Sequence, residues 1–197
     1  MIARSKTRTA AVTRLAGVVF ALCLTGCTRP VGEAVPSFEL TNWDGRKVSN
    51  ESLKGTRTIL TFTYAKCLLA CPMITFQLGD LDRELESPPG IRYLHVSVNP
   101  AEDTAEEILL HFAKHDIDPR QDSRWMFVNG PQPALAEMLA DLGIEVERTP
   151  VEGGYLIEHT ILVLVVGPDG RTLRSYETYN WDQEELLDVI HPAAVSG

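Results

Sequence analysis

An apolar strand that runs into a closely spaced cysteine pair and then into a helix constrains the fold most. Residues 57–64, RTILTFTY, are rich in β-branched and aromatic side chains, which predicts a buried central strand. Cys67 and Cys71 follow in AKCLLACP, and residues 72–85 are predicted to form a helix with Pro72 in its first turn. Open α/β folds carry their chemistry where a central strand ends and a helix begins, so the two cysteines mark a candidate site.

Strands and helices alternate along the rest of the chain. The predicted elements are a hairpin through Asp44 and Gly45 within 38–49, strand 91–98, helix 104–115, strand 124–129, helix 133–143, two strands joined by a Pro-Asp-Gly turn within 160–177, and a helix over 182–191. Parallel units followed by an antiparallel hairpin and a covering helix predict an α/β fold. Its mixed central sheet would be flanked by helices on both faces and extended by an N-terminal β-hairpin.

The first 26 residues have the layout of a secretory signal, because a basic segment without acids precedes an apolar run over residues 15–26. A helix needs about 18 to 20 apolar residues to cross a bilayer, so cleavage is favoured over a short signal anchor. Residues 24–27, LTGC, match a bacterial lipobox. We therefore expect a signal peptide over residues 1–26 and lipidation of Cys27, with an ordinary signal and a chance cysteine as the alternative.

Residues 27–35 would then be the lipidated cysteine and a tether containing Pro and Gly, and residues 36–197 a single domain. Removal of the signal takes the formal charge from −9 to −13, because residues 1–26 carry four basic side chains and no acidic one. An acidic domain does not suit nucleic acid. It does tolerate a basic partner or a cation.

Cys67 and Cys71 form the free pair in the mature chain, because Cys23 leaves with the signal and Cys27 takes the lipid. They could be a disulfide staple, a redox couple or two ligands of a metal site. Three intervening residues would put the sulfurs one helical turn apart on one face, within reach of a disulfide or of a metal ion. The helix N-terminus and Lys66 both favour thiolate. A soft metal would need one more ligand.

Among the five histidines, His159 is the candidate for that ligand, because it follows a Gly-Gly loop and enters a long apolar strand. Its position alone fits a structural histidine at a strand edge equally well. His111 and His115 have the spacing of metal ligands on a helix, but without a second motif we predict that they lie on a solvated face. His95 lies inside a strand and is predicted to be a core or subsurface residue. His191 lies near the end of the last helix, where a cation suits the helix dipole.

Five stretches of this sequence, in this order, resemble the Sco/SenC family of membrane-tethered copper chaperones. They are residues 38–55, 62–72, 97–108, 124–130 and 157–173. The resemblance extends from about Phe38 to Ile190. It implies a thioredoxin-like fold and a role in assembling the binuclear copper site of a respiratory oxidase.

By the same resemblance, Cys67, Cys71 and His159 match the family's copper ligands. Two thiolates suit Cu(I), and an added imidazole also supports Cu(II). The implied partners are the copper-site subunit of a respiratory oxidase or of a related enzyme such as nitrous oxide reductase, other copper chaperones, and the membrane through the lipid anchor. The implied location is the bacterial cell envelope, with the domain facing the periplasm or the outer side of the membrane.

The sequence departs from the family pattern near these ligands. Family members often have Pro and Asp between the cysteines, where this chain has Leu68, Leu69 and Ala70. Glu158 replaces the usual Asp before the histidine, and Asn99 replaces an Asp in the stretch that retains Asp103 and Thr104. These changes indicate a divergent branch, with an apolar rim between the cysteines.

Three functions remain open on the sequence. The first is a copper-binding assembly factor. The second is a thiol-disulfide oxidoreductase that reduces the client's cysteines, with Cys67 and Cys71 as nucleophile and resolver. The third is a structural lipoprotein with an inert disulfide, although a bridge that closes so short a loop would restrict the unfolded chain little.

Overall fold

The computed structural model describes residues 31–152 and 154–190. The predicted signal, Cys27 and His191 lie outside these residues. None of the helices within the described ranges has both the length and the apolar character that a membrane span requires.

The described residues form a seven-stranded sheet, a separate two-stranded ribbon and five helices. The strands are β1 (Glu39–Asn42), β2 (Lys47–Ser49), β3 (Arg57–Thr63), β4 (Ile91–Ser97), β5 (Trp125–Asn129), β6 (Val146–Val151), β7 (Gly154–His159), β8 (Val163–Val166) and β9 (Thr172–Tyr176). The helices are α1 (Asn50–Leu53), α2 (Ala70–Glu84), α3 (Ala105–Ala113), α4 (Gln132–Asp141) and α5 (Gln183–Ile190). This order confirms the predicted alternation.

The main sheet is mixed, with the strand order β2-β1-β5-β4-β3-β8-β9. Strands β3, β4 and β5 are parallel, and the outer strands pair antiparallel to their neighbours. Thr63 pairs with Ser97, so β3 and β4 end at the same edge. The cysteine loop leaves the sheet at this carboxyl-terminal edge, where parallel sheets present their functional groups.

Alternating side chains of the central strands divide the core between the two faces of the sheet. Leu60 and Leu94 pack on one face with Leu135 of α4, whereas Ile59 and Tyr93 pack on the other with side chains of α2, α3 and α5. Because successive strand residues point to opposite faces, the near-continuous apolar run of β3 serves both cores. Helices on both faces confirm the predicted layers.

The ribbon of β6 and β7 was not predicted. It pairs Val146 with His159 and Val151 with Gly154, and Ile157 is the one buried side chain among its described residues. β6 was missed because it contains Pro150 and the charged Glu147 and Arg148. Proline is confined to the edges and bulges of sheets. The short helix α1 was also missed.

The predicted tether ends earlier than Val35. The Val35 N–H donates to the Gly170 carbonyl at 3.1 Å, and Ala34 pairs with Arg171. Val35 is buried in the core, because this segment packs on the turn between β8 and β9. The domain therefore includes residues that the sequence assigned to the tether.

Candidate metal centre

The two cysteines come from different local structures. Cys67 lies in the turn after β3, where its N–H donates to the Tyr64 carbonyl at 3.1 Å, whereas Cys71 is the second residue of α2. The prediction that they share one face of a helix is therefore wrong. Residues 65–69 form a turn that brings the chain round before the helix begins.

The thiols face each other and differ in acidity. A hydrogen bond from the Cys71 thiol lowers the pKa of Cys67 to about 5, and backbone N–H groups of Leu69 and Cys71 also favour its thiolate. The same bond and burial raise the pKa of Cys71. Cys67 is half-buried and Cys71 is buried, and both are free in this structure. Cys67, the more acidic and more accessible of the two thiols, is therefore the nucleophile.

His159, the last residue of β7, approaches the cysteines from the ribbon. Its Nε2 lies 3.7 Å from the Cys71 Sγ, and its Nδ1 lies 2.9 Å from the Thr160 carbonyl. A carbonyl only accepts, so Nδ1 carries the proton and Nε2 presents its lone pair towards Cys71. Fixing the tautomer in this way is what the outer contacts of a metal-binding histidine do.

The structure thus brings Cys71 next to His159 and Cys67 next to Cys71. Within the described ranges, no three His, Cys, Asp or Glu side chains are already gathered as the ligands of one metal ion. The donor set nevertheless suits copper, because thiolates are ligands for Cu(I) and imidazole binds either oxidation state.

Tyr64 lies between the sulfurs and the ribbon. Its ring packs edge-on to the His159 ring at 6.3 Å between centroids, and its hydroxyl donates to the Ile157 carbonyl at 3.4 Å. Burial and the neighbouring Cys67 thiolate raise the pKa of the phenol, so it remains a donor. Sequence analysis missed Tyr64, although its place directly after the central strand was the available signal.

The residues between the cysteines form an exposed apolar rim, as the departures from the family pattern indicated. Leu68 is 85% exposed and Leu69 is 72% exposed. Together with Tyr64, Tyr155 and Leu156 they line a cavity of about 310 Å³ beside the site.

The other two departures have distinct positions. Glu158 is exposed and pairs with Glu147 in the ribbon. Because it directly precedes His159 in β7, its side chain points to the opposite face of the ribbon. Asn99 is buried, and its Oδ1 accepts hydrogen bonds from Arg148 at 3.0 Å and from Tyr155 at 3.4 Å. Asn99 therefore joins the main sheet to the ribbon.

Lys66 forms an ion pair with Glu107, with its Nζ 3.3 Å from the carboxylate, rather than approaching a sulfur.

The solvated helix face predicted for His111 is wrong, because His111 is 1% exposed and packs against His95 and Phe127. His115 is only partly buried. His111 follows Ile108 by three residues, so it lies on the apolar stripe, and this spacing was the signal that the prediction overlooked. His95 is fully buried, as predicted.

The SCO1/SenC family profile matches residues 28–194. The chain belongs to this family. The SCO1 protein homolog of Bacillus subtilis is 30% identical to it over 185 residues, which cover 91% of this chain and 94% of the relative. Sco membership and the thioredoxin-like fold are thus both confirmed.

Solved Sco structures superpose well on the chain. BsSco, a member of the Sco family of cytochrome c oxidase assembly proteins in which a disulfide switch was identified, has a TM-score of 0.68, with 26% identity and coverage of 86% of this chain and 98% of that one. Copper-bound ScoI of Bradyrhizobium japonicum has a TM-score of 0.67, with 23% identity and coverage of 83% and 97%.

Proposed function

We propose that this Sco protein is a copper chaperone that delivers copper to the binuclear copper site of a respiratory oxidase or a related enzyme such as nitrous oxide reductase. The observation that carries the proposal is the approach of His159 Nε2 to within 3.7 Å of the buried Cys71 sulfur, with the Cys67 thiol next to the same cysteine. Two ligands about 2.0 and 2.3 Å from one tetrahedral ion, as in zinc sites, stand about 3.5 Å apart. The copper-bound Sco relative supports copper as the metal.

The chemistry of copper exchange follows from the three donors. Cys67 and Cys71 bind Cu(I) as thiolates, and the His159 imidazole lets the site also hold Cu(II). A disulfide between the cysteines cannot hold copper as two thiolates do, so oxidation of the pair, with a client disulfide taking up the two electrons, would release the ion. The exposed Leu68 and Leu69 adjoin the site on the side from which a client would approach.

We further propose that Cys27 is lipidated after removal of residues 1–26, which anchors the domain in the bacterial envelope. The support is the lipobox sequence LTGC at residues 24–27. Mass spectrometry of membrane-extracted protein should find a lipid on Cys27, and Cys27→Ser should release the domain in soluble form. An unmodified Cys27 in the wild-type protein would contradict this part of the proposal.

Copper binding is tested by anaerobic titration of the purified, reduced chain with Cu(I) against a chromophoric chelator. We expect one tightly bound equivalent, which Cys67→Ser or Cys71→Ser abolishes. His159→Ala should weaken binding at least about tenfold, which corresponds to about 1.4 kcal/mol. His115→Ala is the control histidine and should leave the affinity unchanged. Equal affinities of the wild-type chain and the His159→Ala variant would remove His159 from the site.

A second function is favoured by the different acidities of the cysteines, which suit a reductase of the client's cysteines. The Cys67 thiolate would attack a client disulfide and form a mixed disulfide while one client thiolate leaves. Cys71 would then lose its proton and attack Cys67, releasing the second client thiolate. The chaperone ends as a disulfide and needs an external dithiol for the next round.

The two functions are separated by Cys71→Ser, which can form the mixed disulfide but cannot resolve it. Accumulation of a mixed disulfide with an oxidised client-derived peptide would support the reductase. Rapid Cu(I) transfer from the wild-type chain to the reduced peptide, with no mixed disulfide in Cys71→Ser, would support delivery alone.

A further inference from the structure

A buried hydrogen-bonded relay lies beneath the cysteine loop. The Thr75 hydroxyl, on α2, is 3.1 Å from the Cys71 carbonyl and 2.9 Å from the His111 Nε2 on α3. Thr75 is fully buried and His111 is 1% exposed, so water cannot replace either contact. The thiols and His159 account for the metal chemistry without these two residues.

The other cysteine segment is tied to the same helix. The Ala65 N–H, two residues before Cys67, donates at 2.8 Å to the carboxylate of Asp103, which lies just before α3. The α3 region thus holds the backbone that leads to Cys67 and, through His111 and Thr75, the backbone of Cys71.

The neutral His111 imidazole carries one proton. Burial lowers the pKa of His111 to about 4, so the imidazole is neutral in ordinary buffers. Its Nε2 therefore either donates to the Thr75 hydroxyl or accepts from it.

The tautomer of His111 decides where the Thr75 hydroxyl donates. With its proton on Nε2, His111 donates to Thr75, and Thr75 donates to the Cys71 carbonyl. With the proton on Nδ1, the Thr75 hydroxyl donates to His111, and the Cys71 carbonyl keeps only the helical bond from the Thr75 backbone N–H. The hydroxyl of Thr75 therefore links the Cys71 segment to α3.

We propose that Thr75 and His111 are positioning residues that set the relative placement of Cys67 and Cys71, and thereby the balance between dithiol and disulfide. The inference rests on the proposed function, since that balance governs copper release. Disulfides tolerate only a narrow range of backbone separation, and distorted ones are more easily reduced. A shift of either segment therefore changes the reduction potential.

The test is the thiol-disulfide equilibrium of the purified chain with glutathione. Oxidation joins the two sulfurs, and the two electrons and two protons released reduce glutathione disulfide to two glutathione thiols. Thr75→Val removes the hydroxyl at nearly constant volume and should change the equilibrium constant about threefold to tenfold, the range for one hydrogen bond. Thr75→Ser restores the hydroxyl and should bring it back to the wild-type value.

Thr61→Val is the matched control, because Thr61 is 1% exposed on β3 and its hydroxyl has no hydrogen-bond partner among the described residues. It should leave the equilibrium unchanged. His111→Asn acts on the relay from its α3 end, and its effect should not add to that of Thr75→Val in the double variant. Circular dichroism checks that each variant is folded, and His111→Asn keeps the test open if Thr75→Val does not fold.

An equilibrium constant for Thr75→Val equal to that of the wild type, or an equal shift in Thr61→Val, would overturn the inference. Additive effects of the Thr75 and His111 changes would do the same. Cu(I) titration of the same samples keeps this result separate from the proposed function. A wild-type chain that binds no copper refutes the chaperone, whereas an unchanged redox equilibrium in a copper-binding chain refutes only the positioning role.

Discussion

The sulfur side and the histidine side of the site are held by the fold in very different ways. Cys67 and Cys71 join β3 to α2, two elements of the central core, and buried polar contacts hold their loop. His159 ends a mostly exposed ribbon that lies outside the main sheet. The sulfur geometry therefore depends on global stability, whereas the approach of the imidazole depends on a few local contacts.

Those local contacts are identifiable. Ile157 packs into the core, Arg148 donates to the Asn99 side chain, and Tyr155 donates to Glu102. Segments with few buried apolar contacts open more easily than core strands and helices. A metal site assembled from one rigid and one loosely held part can release its ion by moving the loose part, without unfolding the other.

The largest expected effect comes from truncating one buried side chain on each side of the site. Leu78 of α2 is fully buried, and Leu78→Ala should lower the free energy of unfolding by about 3 kcal/mol. Ile157→Ala should cost less, about 1 to 2 kcal/mol, because the ribbon can relax into the space. Urea denaturation measures both, and amide exchange should show faster opening confined to β6 and β7 in the second variant. Equal losses of unfolding free energy in the two variants would show that the ribbon contributes as much to global stability as α2.

A smaller effect is expected from the carboxylate that holds the sulfur loop. Burial raises the pKa of Asp103 to about 6 from 3.8, although Ser97 and Ala65 donate to it. Because the folded state raises this pKa, protonated Asp103 stabilises the fold below pH 4. That stabilisation is lost as the pH rises through 6. A pKa difference of about two between the folded and unfolded states corresponds to at most about 3 kcal/mol of unfolding free energy. We expect about 2 kcal/mol because the loop can relax.

Asp103→Asn removes that titration while keeping an acceptor for the Ala65 N–H. The stability of the variant relative to the wild type should therefore increase by about 2 kcal/mol between pH 4 and pH 7.5. Asp116→Asn is the control, because Asp116 is exposed and has a φ of 59°, which asparagine also adopts. Parallel pH profiles for the wild type and Asp103→Asn would show that Asp103 is not titrating in this range.

The contrast between the two sides also explains what could be predicted from the sequence. The order of elements and the location of Cys67 and Cys71 follow from local patterns, since an apolar strand and a helix start are signalled by neighbouring residues. The family resemblance implied His159 as a ligand. The ribbon that carries it was missed, because Pro150 and the exposed charged residues of β6 give no strand-like alternation.

Burial of individual polar residues was harder to predict. His111 was assigned to a solvated face although its spacing from Ile108 places it on the apolar stripe, because histidine is compatible with either environment. Its contacts with Thr75 and His95 depend on how α3 packs against α2 and β4. Likewise, the turn that separates Cys67 from α2 cannot be deduced from cysteine spacing, which fits a helix equally well.

The smallest expected effect tests a side chain of the sulfur side that contacts the ribbon directly. Tyr64 follows β3, and its hydroxyl reaches the Ile157 carbonyl over 3.4 Å, a long hydrogen bond. Tyr64→Phe should therefore lower the free energy of unfolding by less than about 1 kcal/mol. The ring that packs against His159 is retained, so any change in Cu(I) affinity reports the hydroxyl alone. Tyr93→Phe is a control for loss of a buried hydroxyl, because Tyr93 bonds to Asp82 far from the ribbon.

If the two sides are coupled mainly through Tyr64, its loss should speed amide exchange in β7 and weaken Cu(I) binding about twofold to fivefold, while Tyr93→Phe leaves both unchanged. Unchanged exchange in β7 would mean that Ile157 and the Asn99 contacts are sufficient to hold the ribbon. The imidazole would then be positioned by packing of the ribbon on the sheet.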